Sequence, residues 1–377
     1  MISPFNKRLC LLFFLVIIGQ SLWAQTEEAK IRAVINDYAQ GTSYNNAEQV
    51  KAAFMPGANM FLDHPDQPLF VMKIEEYAGR IAKQEQGKFN GRVSNIISID
   101  RFEGIAVVKL EVLIPSIESR FVDLLLLKKL EDGWKIISKT AAREPSNRQA
   151  NKVLLILSSA AFHADSDLPA GNSFSEVVIA YDVYQKAGYH VDMVSPKGGK
   201  VPLAYVNPSD SLQLAYLYNA DFMYALENTL RPDEINPDEY DIVQYTGGSA
   251  PIFDVPQNEA IQTIVMHIYE KNQGVVAAVC HGTAGIVHLK TSDGQYLVAG
   301  KKVNTIPDAQ ERKDLPHYQH YPFIIETLLR ERGGRVNYSD IRSPHMEVDG
   351  RLVTGQNSVS SEMVSLKTIE ISRALRE

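Results

Sequence analysis

The order of hydrophobic and polar positions changes twice along the chain. Over residues 27–40 the side chains Ile31, Val34, Ile35 and Tyr38 recur at helical spacing, which predicts an amphipathic helix. Segments 47–54 and 74–83 read as two more helices. The period then shortens. Residues 92–100, 104–114, 119–129 and 133–140 read as four strands, with hairpin chemistry at Phe102-Glu103-Gly104 and Glu131-Asp132-Gly133. Helices followed by an antiparallel sheet make an α+β domain over about 26–143. Residues 144–151, EPSNRQAN, are polar, contain a proline and read as a linker. From residue 152 to 377 the pattern changes again. Apolar strands at 153–158, 189–194, 240–245 and 274–279 alternate with helices at 175–187 and 257–272, and a small-residue helix follows residue 279. This predicts an α/β domain with a parallel sheet flanked by helices on both faces. Ligands of such sheets bind outside the carboxyl ends of the strands. Ser158, Gly247-Gly248 and Cys280 fall at those ends.

Charge narrows the function classes. The formal net charge of −7 offers no basic patch, so nucleic acid is not an expected partner. No His, Cys, Asp or Glu cluster with metal-ligand spacing and no phosphate loop is found, so neither metal nor cofactor is expected. The first residues carry a different signal. Lys7 and Arg8 precede the apolar run Leu9 to Ile18, and a small residue, Ala24, precedes Gln25. Residues 1–24 therefore read as a signal peptide, and a periplasmic or extracellular protein is expected. The competing reading is a retained membrane anchor. No later stretch is apolar enough to span a bilayer, so no stable span is expected after signal removal.

Removing the signal removes Cys10 and leaves Cys280 as the one cysteine. An intramolecular disulfide is then impossible. A lone thiol is commonly an apolar filler. Its surroundings, AAVCHGTAG, favour another reading: a buried strand stops, one residue turns and a helix begins, with Gly282, Ala284 and Gly285 permitting close packing. This strand–turn–helix elbow exposes a nucleophile above a sheet. A helix N-terminus there is expected to lower the thiol pKa. The N–H of His281 is then free to face a developing oxyanion.

Two resemblances follow from these motifs. YAQGTSYNNAEQVKAAFMPGANM and DLLLLKKLEDGWKIISK resemble the SnoaL-like, nuclear-transport-factor-like cone fold, in its putative lumazine-binding branch. That implies a pocket inside the cone, dimerisation through the sheet and, in some relatives, an acid–base pair at the place of Asp63 and His64. The competing reading of those two residues is a surface loop in DHPDQP, and Trp134 reads as core. The second domain resembles the ThiJ/PfpI family of the class I glutamine amidotransferase-like superfamily, in its glyoxalase III and heat-shock chaperone branch. The motifs are AGYHVDMVSPKGGKVPL, YDIVQYTGGSAPIFDVPQN, AVCHGTAG, GKKV and VDGRLVTGQNSVSS. The resemblance implies a flavodoxin-like fold and a nucleophile at Cys280, with His281 as base or proton carrier. Glu176, twelve residues before Gly188, matches the family's carboxylic acid against the thiol. Gly248 matches its oxyanion-hole glycine. For an acidic partner of His281 both Glu311 and Asp308 stand open, with Glu311 preferred. His345 begins an H-x-E and is a candidate to line the pocket.

Ser249 and Phe253 depart from the family pattern, as does GNSFSE before the glutamate. The leading expectation is an enzyme that attacks a small carbonyl compound, in a glyoxalase III-like or deglycase-like reaction, or hydrolyses an amide or peptide. The alternatives are a non-enzymatic binding protein or chaperone, and a thiol redox sensor at Cys280. Amidotransfer is disfavoured, because no synthetase domain is present to receive ammonia. Relatives of both domains imply a homodimer.

Overall fold

A computed structural model describes residues 27–376 apart from 65, 66, 147, 149 and 150, and apart from the side chains of 63, 64, 67 and 68. The signal segment and Cys10 lie outside the described residues, as do the side chains of Asp63 and His64. The chain divides into two compact units between Arg148 and Gln149.

In the first unit, α1 (27–43) is followed by α2 (Ala47–Ala53), strands β1 (Phe54–His64) and β2 (Gln67–Lys73), and α3 (Ile74–Ile81). An Asn46 side chain caps α2 by accepting the Gln49 N–H, a device worth about 1 kcal/mol. Strands β3 (Val93–Phe102), β4 (Ile105–Ile114), β5 (Ser119–Leu130) and β6 (Gly133–Pro145) form an antiparallel meander. The sheet order is β2-β1-β6-β5-β4-β3, with β1 parallel to β6. The sheet thus has six strands where alternation predicts four. In β1, Pro56 and Gly57 interrupt the pattern, and its register against β6 shifts between Phe54 and Asn59. That irregularity hides the strand from a period-2 reading. The last strand also runs on to Pro145, into the stretch read as linker.

The predicted helical stripe is buried: Ile31, Ile35 and Tyr38 enter the core together with Val108, Leu110, Leu125 and Ile136. Trp134 is core, and its indole N–H donates to Glu27 at 2.9 Å. Within this core, Lys139 Nζ lies 2.6 Å from Asp123 and donates to the Tyr38 hydroxyl at 2.7 Å. The opposite face of the sheet exposes Phe102, Ile105, Val107, Leu124 and Leu126.

In the second unit, β7 (Lys152–Ile156) leads through a loop to the short β8 (Asn172–Ser173), then α4 (Phe174–Lys186) and β9 (His190–Val194). Next come β10 (Leu203–Ala204), α5 (Ser211–Leu217), α6 (Ala220–Glu227), β11 (Tyr240–Tyr245), α7 (Pro251–Asp254), α8 (Glu259–Glu270) and β12 (Val275–Val279). The remainder comprises β13 (Lys302–Val303), α9 (Ile325–Glu331), β14 (Arg335–Val336), β15 (Met346–Asp349), β16 (Leu352–Gly355) and α10 (Ser361–Ala374). The main sheet has the order β15-β16-β12-β11-β7-β9. All its pairs are parallel except β15 with β16, an antiparallel edge that the expected all-parallel sheet lacks.

All five residues of β12 are buried, because its alternate side chains enter two different cores. Val276 and Ala278 pack under α8 with Ile261, Ile264 and Ile268, whereas Val275, Ala277 and Val279 pack with Val177 of α4 and Val364 of α10. Double-sided burial is why these strands read as unbroken apolar runs. It also fixes where they end, and the carboxyl ends of β11 and β12 carry the chemistry. Among the described residues, no helix is long and apolar enough to cross a membrane.

Candidate active site

The strand β12 stops at Val279, and Cys280 turns with φ +54. This left-handed conformation costs a residue with a Cβ on the order of 1–3 kcal/mol, and it lifts the side chain off the sheet end. Residues Cys280–Ile286 then wind as a 3₁₀ segment rather than the expected α-helix. A Cβ at Gly285 would stand 2.3 Å from the Tyr245 ring, so the small residues are what let the segment settle onto β11.

Two side chains flank the thiol, His281 and Glu176. His281 Nδ1 lies 3.5 Å from Cys280 Sγ. Its Nε2 lies 2.9 Å from Glu311 Oε1 and 3.3 Å from the Tyr321 hydroxyl. A carboxylate accepts, so Nε2 carries a proton, and Nδ1 is the nitrogen that exchanges a proton with sulfur. Between Glu311 and Asp308 the geometry decides: Asp308 is engaged by Lys313 and the Tyr318 hydroxyl. The loop bearing Glu311 is tied down by its neighbour Gln310, which accepts from Gln356 at 2.9 Å, just past β16.

On the other side, Glu176 projects from the first turn of α4 and is buried. Its Oε2 accepts the Gly247 N–H at 2.8 Å, and the carboxyl is in hydrogen-bond contact with Cys280 and Ser173. A Cβ at Gly247 would lie 2.7 Å from Glu176 Oε2 and 2.8 Å from Cys280 Cβ. Only glycine lets β11 end between the acid and the thiol. The next residue, Gly248, has φ +112, and a Cβ there would fall 2.4 Å from Gly171 O. One residue past the glycine that separates the acid from the thiol, it forms a bridge with Asn172.

Burial governs the electrostatics. Burial pushes Glu176 up to about 7, against the Gly247 N–H and the His281 charge, which both pull it down. Cys280 is part-buried, and burial followed by the Glu176 charge pushes its thiol up. The expected lowering by a helix N-terminus is therefore overturned: a short 3₁₀ segment supplies little dipole, and the sulfur shares its site with a carboxylate. Burial pulls His281 down, but the charges of Glu311 and Cys280 outweigh it and hold the imidazole well above its usual value.

His345 lies just before β15, and its Nε2 pairs with Glu347 at 3.0 Å. Sequence reasoning missed an aromatic wall: Tyr321 meets the His281 ring edge-on at 5.6 Å and Phe253 at 6.1 Å, and His317 stacks on His163 at 4.8 Å. The aromatic run PHYQHY over 316–321 was its visible trace. Among the described residues, no group of three or more His, Cys, Asp or Glu side chains is arranged to hold a metal.

The model of the DJ-1/PfpI family matches residues 170–371. This chain belongs to the DJ-1/PfpI family. Residues 26–140 match a second model, described as putative lumazine-binding. The chain is 30% identical over 256 residues to the glutathione-independent glyoxalase hsp3101 of Schizosaccharomyces pombe, which covers 60% of this chain and 98% of that protein. It is 29% identical over 223 residues to glyoxalase 3 of Candida albicans, covering 56% and 93%. The crystal structure of Candida albicans glyoxalase III superposes with a TM-score of 0.53 at 27% identity, over 59% of this chain and 97% of that one.

Proposed function

We propose that the second domain is a glutathione-independent glyoxalase that converts a 2-oxoaldehyde, such as methylglyoxal, into a 2-hydroxy acid. One observation carries the reading: Cys280, His281 and Glu311 form a hydrogen-bonded series, with the protonatable Glu176 on the far side of the sulfur. The relatives named as glyoxalases support it.

The steps balance without an oxidant or reductant. Cys280 sulfur bonds to the aldehyde carbon, and the thiol proton passes through His281 Nδ1 to the aldehyde oxygen, giving a hemithioacetal. Nδ1 then takes the proton from that carbon and returns it to the neighbouring ketone carbon, while the hydroxyl proton on the former aldehyde oxygen moves to the former ketone oxygen. The product is a thioester of the 2-hydroxy acid. Water cleaves it and restores the thiol. Glu311 fixes the imidazole tautomer throughout. Glu176 in its protonated form leaves no like charge beside the attacking sulfur. The Gly248 N–H is positioned by its motif to receive the developing oxyanion.

The test is methylglyoxal consumption by wild-type protein and by Cys280→Ser. Wild-type turnover with a loss of at least about a thousandfold in the variant is expected. Absence of turnover in the wild type overturns the proposal. Two further readings belong with it. Lys7, Arg8 and the apolar run Leu9 to Ile18 support export by a signal peptide. The exposed apolar sheet face of the first domain supports a homodimer.

A further inference from the structure

Tyr205 breaks a local rule without an evident packing reward. Its φ is +57, a left-handed conformation that is unfavourable for a bulky side chain, yet its residue surface is 63% exposed. A strained, solvent-facing aromatic gains little from core packing, so the strain points to a role at the place where the ring is held. That place is set by the backbone. Tyr205 directly follows β10, which pairs in parallel with β8, Leu203 opposite Asn172 and Ala204 opposite Ser173. The strand β8 runs straight into α4, whose first turn carries Glu176. The two-stranded ladder therefore brings Tyr205 beside the segment that delivers the acid to the thiol. The phenol shares the electrostatic field of His281, Cys280, Glu176 and Glu311, and that of the Tyr321 phenol. Of these two phenols, Tyr321 already contacts His281 Nε2. Tyr205 is the one with a largely exposed surface.

A 2-oxoaldehyde has two oxygens to accommodate. The aldehyde oxygen belongs to the elbow and to Gly248. During proton transfer from the aldehyde carbon to the ketone carbon, negative charge develops on the second oxygen, and a neutral O–H donor there lowers the barrier. We propose that the Tyr205 hydroxyl donates a hydrogen bond to the ketone oxygen of the bound 2-oxoaldehyde, which makes Tyr205 a substrate-contacting residue selective for vicinal dicarbonyls over simple aldehydes. The proposal rests on the glyoxalase reading above.

Tyr205→Phe removes the hydroxyl and keeps the ring. It is expected to lower kcat for methylglyoxal about 100- to 1000-fold, by analogy with loss of one oxyanion donor. The rate at which propanal, which lacks the second oxygen, forms an adduct with Cys280 is expected to stay within twofold of wild type. Tyr205→Gly relieves the backbone strain, so it should lose the same activity while its thermal midpoint does not fall, which separates lost contact from misfolding. A Tyr205→Phe variant that turns over methylglyoxal like wild type overturns the proposal, as does an equal loss in both readouts. If the wild type itself has no turnover, the glyoxalase reading fails first, and this assignment falls with it.

Discussion

Replacing Glu176 by glutamine tests the electrostatics of the site through stability. Burial lifts this carboxyl from 4.5 to about 7. Between those values the unfolded chain has released the proton while the folded chain keeps it, so stability falls as pH rises. Below pH 4.5 both states are protonated and the contribution is intact; above about 7 it is lost in full. A displacement of about 2.5 units at about 1.36 kcal/mol each gives a loss of about 3 kcal/mol across this window. Glutamine imitates the protonated acid: its amide oxygen accepts the Gly247 N–H, and its NH₂ can donate toward sulfur. It does not titrate. Trp134 is the one tryptophan beyond the signal segment and lies in the first unit, so tryptophan fluorescence does not report on the second. Brief proteolysis across a urea series, read as survival of the second domain, reports its stability directly. Wild type and Glu176→Gln should have similar stability near pH 4.5, and the variant should be more stable by about 3 kcal/mol at pH 8. Titrating groups that do not interact with Glu176 cancel in the difference. An offset that is the same at both pH values would refute the buried-acid argument.

Two other outcomes follow from packing. Gly247→Ala should destabilise the second domain by about 1–3 kcal/mol and reduce methylglyoxal turnover, because the new methyl wedges between Glu176 and Cys280; urea midpoints and activity are the readouts. In the first domain, Lys139→Met should cost about 3–5 kcal/mol by stranding Asp123 in the core, and adding Asp123→Asn should recover part of that loss, as a double-mutant cycle on Trp134 fluorescence would show.

The parts of the fold visible in the sequence are those with one dominant period. The stripe on α1 and the runs of β7, β11 and β12 could be read because each satisfies one packing demand along its whole length. Strands β1 and β2 could not, because Pro56, Gly57 and a register shift spoil the alternation. The antiparallel β15 was equally hidden: it is only four residues long, and its direction depends on its partner β16 rather than on its own pattern.

The site divides along the same line. Cys280, His281 and Glu176 are tied to elements by short-range spacing, and a motif can carry that. The choice of Glu311 over Asp308 depends on where a loop of low regularity is pinned, by Gln310 to Gln356, forty-six residues apart. No local pattern encodes that distance. Tyr321 likewise reaches His281 only through long-range folding. The thiol's protonation shows the limit best. A strand–turn–helix reading supplies a dipole and predicts a low pKa, because it takes no account of how deeply the fold buries the sulfur. In the folded chain Glu176 approaches from 104 residues away and the site closes around both groups. Two acids sharing one buried space cannot both ionise cheaply. Reactivity at Cys280 therefore depends on whether Glu176 holds its proton, and the elbow alone does not set it.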